Sequence, residues 1–338
     1  MHRVSARRQS RSNKNQLRRM RTEEKLPSAS LPLWILMAMK NKERKKIIQA
    51  IPFMLPSLVG MVIFSLLPMV IAIALSFTDW SGLGKFSFSM VSKQFIGLEN
   101  YKKLLMQGEF WTAVGHVLYF VVLYLPISFL FSMLVALILN SGKKLSGLYR
   151  ILYYIPVLTS WVAASLIWKW VLSSQYGVFN SILAMFGIQG PDWLTNKYWA
   201  MPGIVLASVW KDMGFYGLYI FGGLRTIDTG YYEAAQIDGA GKWVTLTRIT
   251  IPLLSPTLFY CLIMSLINAF QLFPQVQIMT GGGPNGATQV PVERIYTYAF
   301  SYFKMGYASA FSWLLFLIIL ALTLIQLKAQ KAWVHYET

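Results

Sequence analysis

Six apolar runs, near Ile51–Phe77, Ala113–Leu139, Ile151–Leu172, Pro202–Leu224, Ser255–Met279 and Ala308–Leu327, dominate the 338-residue sequence. Each is long enough for the ~20-residue helix that crosses a bilayer. In hydrocarbon every backbone polar group must be satisfied internally, which only helices and closed barrels achieve. With 55% hydrophobic and 13% charged residues and a mean hydropathy of +0.48, the chain is too apolar for a soluble domain of this length. The predicted fold class is an all-α membrane protein with six transmembrane helices. Pro68, Pro126 and Pro274 fall inside these runs, where packed neighbours tolerate them as kinks.

A net charge of +18 raises nucleic acid as a partner, but fourteen of the 31 Lys and Arg lie between Arg3 and Lys46, and no aromatic residue is interleaved before Trp34. The basicity belongs to a tail, residues 1–50, that reads as a disordered cytoplasmic segment drawn to anionic membrane lipid rather than to nucleic acid. Within it the run Leu31–Met39 is too short to span, and Lys40-Asn41-Lys42 stands where a signal peptide needs small residues, so an interfacial helix is expected. With the N-terminus inside, twenty-two basic residues fall on the cytoplasmic side and seven outside, and Lys169 and Lys211 lie within spans. The positive-inside rule then predicts both termini in the cytoplasm of a multi-pass protein. Without the tail the balance is eight to seven, so the tail carries the orientation. Residues 51–338 form the six-span domain, with no large insertion between spans.

Between the fourth and fifth runs lies a polar island, Asp228 to Pro252. Asp228 or Thr229 can cap a helix that Gly239 and Gly241 end, about three turns long. Its small residues Ala234, Ala235 and Gly239 would let another protein approach the backbone closely, while Glu233 and Asp238 offer charged acceptors. Two readings stand on the residues alone: a docking helix, or an ordinary solvated loop helix.

The spacing Glu233-Ala234-Ala235, three residues, Gly239, nine residues, then Ile249-Thr250-Ile251-Pro252 resembles the EAA loop of binding-protein-dependent ABC importer permeases. It departs by Ile251 where that family has Leu, and by Ile227-Asp228 where the loop usually enters through Ile-Pro. Phe77-Thr78-Asp79-Trp80, Phe95-Ile96-Gly97-Leu98-Glu99-Asn100-Tyr101 and Met279-Thr280-Gly281-Gly282-Gly283-Pro284 resemble the carbohydrate branch of these permeases. The resemblance implies a bacterial cytoplasmic-membrane protein. It also implies a second homologous permease, ATP-binding cassette ATPase subunits, an extracellular solute-binding protein and a sugar substrate as partners. Residues 228–252 would then be the cytoplasmic coupling-helix loop, lodged in a groove of the ATPase, with Glu233, Ala234, Ala235, Asp238 and Gly239 at the contact.

No residue set here suits catalysis. A phosphate-cradling G-x-x-x-x-G-K-[ST] loop is absent, since Gly142-Lys143 is followed by Lys144 and has Leu137 five positions upstream. His2, His116 and His335 are scattered, and Cys261 is the only cysteine, so no metal site, cofactor or disulfide is expected. Polar groups inside spans are expensive and are functional candidates by default. Ser208, Lys211, Asp212, Phe215 and Tyr219 share about a third of the fourth helix's circumference, and Ser265, Asn268, Gln271 and Gln275 do the same on the fifth. Hydroxyl-pairing groups beside aromatic rings suit a sugar path, with Ser208, Lys211, Asp212, Phe215, Ser265 and Asn268 as its candidate residues. Interhelical packing uses the same residue types. An ion-coupled secondary carrier, the rival reading, needs buried carboxylates, and the six runs contain only Asp212. A membrane-embedded enzyme would need a nucleophile or metal cluster that the sequence lacks.

Overall fold

The computed structural model describes residues 41–84, 87–141 and 146–334. The basic tail before residue 41 and its interfacial segment Leu31–Met39 lie outside these residues. The chain divides into two compact units, residues 1–68 and 69–338. Among the described residues the regular structure is helical, with one isolated bridge between Thr78 and Phe95. Four helices among the described residues are long and apolar enough to cross a membrane: α1 (Ala50–Ser76), α3 (Glu109–Asn140), α6 (Ala200–Thr226) and α11 (Met305–Trp333). In the first unit α1 exposes large apolar side chains, Phe53 at 87% and Phe64 at 81%, as lipid-facing helices do. The short helix α2 (Glu99–Met106) precedes α3.

The remaining expected spans are not single straight helices. Ile151–Leu172 is two helices, α4 (Ser146–Leu158) and α5 (Trp161–Val171), bent by 99°. Having 13 and 11 residues, they reach roughly 20 and 16 Å, against a hydrocarbon core of about 30 Å. The break has a local cause. Ser160 adopts an extended conformation and its hydroxyl caps α5 by accepting from the Ala163 amide at 3.2 Å. The carbonyls orphaned at the end of α4 are taken by Lys211 of α6, whose ammonium donates to Pro156, Val157 and Thr159 at 3.0, 3.2 and 2.7 Å. A cation there also complements the negative end of the helix dipole.

The fifth expected span, Ser255–Met279, is interrupted as well. Following α7 (Thr229–Ile237), a helix over Lys242–Leu253 meets α8 (Ser255–Phe270) at a 68° bend. Residues 271–273 are unwound before α9 (Pro274–Met279). Irregular backbone at membrane depth is tolerated where protein buries it or where it lines a cavity. The Lys169 ammonium donates to the Ile278 carbonyl at 3.3 Å and so closes the far end of α9.

α6 is the helix on which the second unit is packed. Its Val205, Ile204 and Met201 join Val117, Phe120 and Tyr124 of α3 in the largest core cluster, while Tyr216, Ile220 and Leu224 pack with Ala136 and Cys261 in a second. Glycine permits the close approaches, as small residues do where helix association rests on van der Waals packing. A Cβ on Gly214 would lie 1.9 Å from the Tyr153 carbonyl oxygen of α4, and one on Gly217 would lie 2.8 Å from Val135 of α3. At the Glu109 end of α3, Arg294 of α10 (Pro291–Tyr296) pairs with Glu109 at 2.8 Å, and Tyr298 donates to the same carboxylate. Beside them burial pushes the Glu293 carboxyl above its ordinary range, opposed by the Thr297 hydroxyl and the Arg294 charge. His116 meets the Gln289 carbonyl at 2.8 Å, so the loop before α10 is held to α3.

Gly214→Leu drives a side chain into backbone, which cannot rotate away, and is expected to cost at least the ~1–3 kcal/mol typical of overpacking. Gly222→Ala is the control, because a Cβ there meets nothing within 4 Å. The thermal unfolding temperature of the purified protein in detergent should fall for the first and hold for the second.

Candidate functional site

The interruptions of the third and fifth segments meet at a cavity of about 250 Å³. Its polar wall is Ser208 and Asp212 from α6, Asn268 from α8, and Gln271 and Gln275 from the unwound stretch and the start of α9; its rings are Phe120 and Tyr124 of α3 and Trp161 at the start of α5. Phe120 and Tyr124 stack with centroids 5.0 Å apart. The Tyr124 hydroxyl donates to Asp212 Oδ2 at 2.6 Å, and the Asn268 amide donates to the Tyr216 hydroxyl at 3.4 Å. Among the described residues Gln275 Oε1 is buried with no hydrogen-bond partner. Such a wall offers hydrogen-bond donors and acceptors beside apolar ring faces, as sites for small polar ligands do.

The expected residues divide. Ser208, Asp212 and Asn268 come together at the cavity, joined by Gln271 and Gln275 from the second polar face. Lys211 does not line it: its neighbour position on α6 turns it about 100° away, and its ammonium is held by the three carbonyls of the α4–α5 break and lies 5.1 Å from the Trp161 ring centre. No ion pair joins it to Asp212 among the described residues. Phe215 lines a separate hollow of about 330 Å³ with Tyr154, Leu218, Tyr219 and Gly222. Ser265 is fully buried and donates to the Leu262 carbonyl of its own helix at 3.1 Å. The shared-face reading thus overextended the stripe: a third of a helix surface meets more than one neighbour. Phe120, Tyr124 and Trp161 were missed. The first two stand one helical turn apart in an unbroken apolar run, and the only sequence signal was a hydroxyl on the second.

The Asp228–Pro252 island folds as expected at both ends of its first helix. Asp228 Oδ1 accepts from the Gly230 amide at 3.0 Å, capping α7. At the other end Gly239 takes φ +70°, and the Ala240 and Gly239 amides return to the Ala235 and Gln236 carbonyls at 2.9 and 3.1 Å, a Schellman closure. Glu233, Ala234, Asp238 and Gly239 are exposed. Ala235 is not: at 6% exposure it faces the protein, so the expectation that it opens the backbone to a partner is corrected. Ile237 at 86% and Trp243 at 74% exposure extend the free surface with apolar groups. Gly241 caps the next helix rather than ending the first.

Residues 30–332 match the family described as "Binding-protein-dependent transport system inner membrane component". The chain is 33% identical over 308 residues to the "Probable ABC transporter permease protein YesP" of Bacillus subtilis, covering 89% of this chain and 97% of that protein. It is 34% identical over 280 residues to the "Trehalose/maltose transport system permease protein MalF" of Thermococcus litoralis, covering 82% and 92%. Its fold matches a chain in the crystal structure of a bacterial ABC transporter involved in the import of the acidic polysaccharide alginate, with a TM-score of 0.74 at 23% identity over 86% of this chain and 98% of that one. Because the family match takes in nearly the whole sequence, and these relatives are covered almost end to end, this chain belongs to the inner membrane components of binding-protein-dependent transport systems.

Proposed function

We propose that the chain is the sugar-translocating permease subunit of an ATP-driven importer in a bacterial cytoplasmic membrane. The observation that carries the sugar assignment is the cavity, where an amide-, hydroxyl- and carboxylate-bearing wall faces Tyr124, Phe120 and Trp161 at the interruption of two apolar segments. The trehalose/maltose designation of one relative supports the same substrate class. In this reading six spans cross the membrane, with each bent pair counted as one, and residues 51–338 are the permease domain. Both termini and the Asp228–Pro252 loop are cytoplasmic, and the basic segment 1–50 is a tail. A second homologous permease completes the path, an extracellular solute-binding protein delivers the sugar, and ATPase subunits drive alternation of access.

The coupling element is α7, whose Glu233, Ala234, Asp238 and Gly239 are the exposed contact residues, with Ala235 supporting the helix from within. The substrate path is lined by Ser208, Asp212 and Asn268. Lys211, Phe215 and Ser265 shape the helices around it.

Two expected outcomes test this reading. Gly239→Arg puts a bulky charge at an exposed left-handed position, where any L side chain is strained. It should abolish ATPase co-purification or uptake while the chain still inserts; normal stimulated ATPase activity and uptake would refute the docking. Asn268→Leu keeps bulk but removes amide pairing, and sites built to hydrogen-bond a hydroxyl lose on the order of tenfold or more without the partner. Uptake by the reconstituted importer should fall by at least that factor with assembly and binding-protein affinity unchanged, and parental uptake would remove Asn268 from the path.

A further inference from the structure

The cavity carries a charge bias. Among the described residues that line it there is one carboxylate, Asp212, and no lysine, arginine or histidine. The cation adjacent in sequence is withheld, since Lys211 spends its ammonium on three backbone carbonyls and the Trp161 face. Tyr124 donates to Oδ2, so the carboxylate acts as acceptor there. Oδ1 has no hydrogen-bond partner among the described residues, on a side chain that lines the cavity.

We infer that Asp212, oriented by Tyr124, is a charge filter: the path admits neutral and amino-bearing saccharides and excludes those carrying a carboxylate or sulfonate. The inference rests on the sugar-path reading above and gives it a substrate class. Two like charges in a partly desolvated site repel far more strongly than in water, and rejection of wrong partners by like charge is a common route to specificity. A free Oδ1 has the opposite effect on an ammonium group, which it can accept from directly. The same fold serves an acidic polysaccharide in the alginate importer, so the fold leaves charge open and the lining groups must set it.

The test is binding of trisaccharides to the purified importer in detergent, without solute-binding protein, so that delivery does not select. The probes are neutral gluco-, galacto- and manno-configured trisaccharides, each with a counterpart oxidised to a terminal uronate and one bearing a terminal amino sugar. The uronate should bind at least about tenfold more weakly than its neutral parent. Asp212→Asn, which keeps the acceptor for Tyr124, should bring the two within about twofold and remove any advantage of the amino sugar. Equal binding of uronate and parent by the wild type, or an undiminished gap in a correctly assembled Asp212→Asn complex, would each overturn the filter. If no neutral or amino trisaccharide binds, the sugar-path reading itself fails and the filter with it, an outcome distinct from the other two.

Discussion

An interrupted helix strands backbone carbonyl groups, and this structure depends on how one such interruption is satisfied. The Lys211 ammonium donates to Pro156, Val157 and Thr159 together, fixing the 99° bend between α4 and α5 to the central helix α6. An unpaired buried carbonyl costs about 1–3 kcal/mol, so leaving these partly buried groups open would disfavour the bend. The same contact decides where Trp161 stands, because that residue begins α5 immediately after the break.

From that constraint the cavity follows. α5 turns across the protein and brings Trp161 towards α6, while the unwound stretch after α8 brings Gln271 and Gln275 to the same place. α6 supplies Ser208 and Asp212 from the side opposite its glycine contacts' tightest point, and α3 supplies the Phe120–Tyr124 stack. Polar groups are therefore concentrated where two segments lose their helical continuity, whereas Ser165 and Ser265 bond their own helices. The α7 element belongs to the same frame: Ile227, just before it, packs in the cluster with Tyr216, Ile220 and Leu224 of α6. A displacement at α7 thus has a packed route into the helix that bears Asp212.

Much of this was legible in the sequence where the signal is local. Apolar length marked the spans, and the Asp228 cap and Gly239 stop bounded α7 because capping needs only neighbouring residues. Asn268, Ser208 and Asp212 stood out as candidates because polar groups are rare in apolar helices, and all three line the cavity. What hydropathy could not show was the break at Thr159–Ser160, since Ile151–Leu172 stays apolar through it and the deciding partner, Lys211, is 52 residues away from Thr159. For the same reason Lys211 looked like a path residue: it lies within the same third of the α6 circumference as Asp212, about 100° round the helix, and only the position of α4 reveals which neighbour claims it. Tyr124 and the inward turn of Ala235 likewise depend on tertiary contacts that no local pattern encodes.

Hydrogen exchange across residues 153–165 in the assembled protein, compared between wild type and Lys211→Met, tests this account most directly. Methionine keeps the length of the side chain and removes the donor. The account predicts faster exchange at the amides around the break and an unfolding temperature lowered by several degrees, because the carbonyls lose their shared partner. Wild-type exchange and an unchanged unfolding temperature in Lys211→Met would contradict it, for then something other than this ammonium holds the bend.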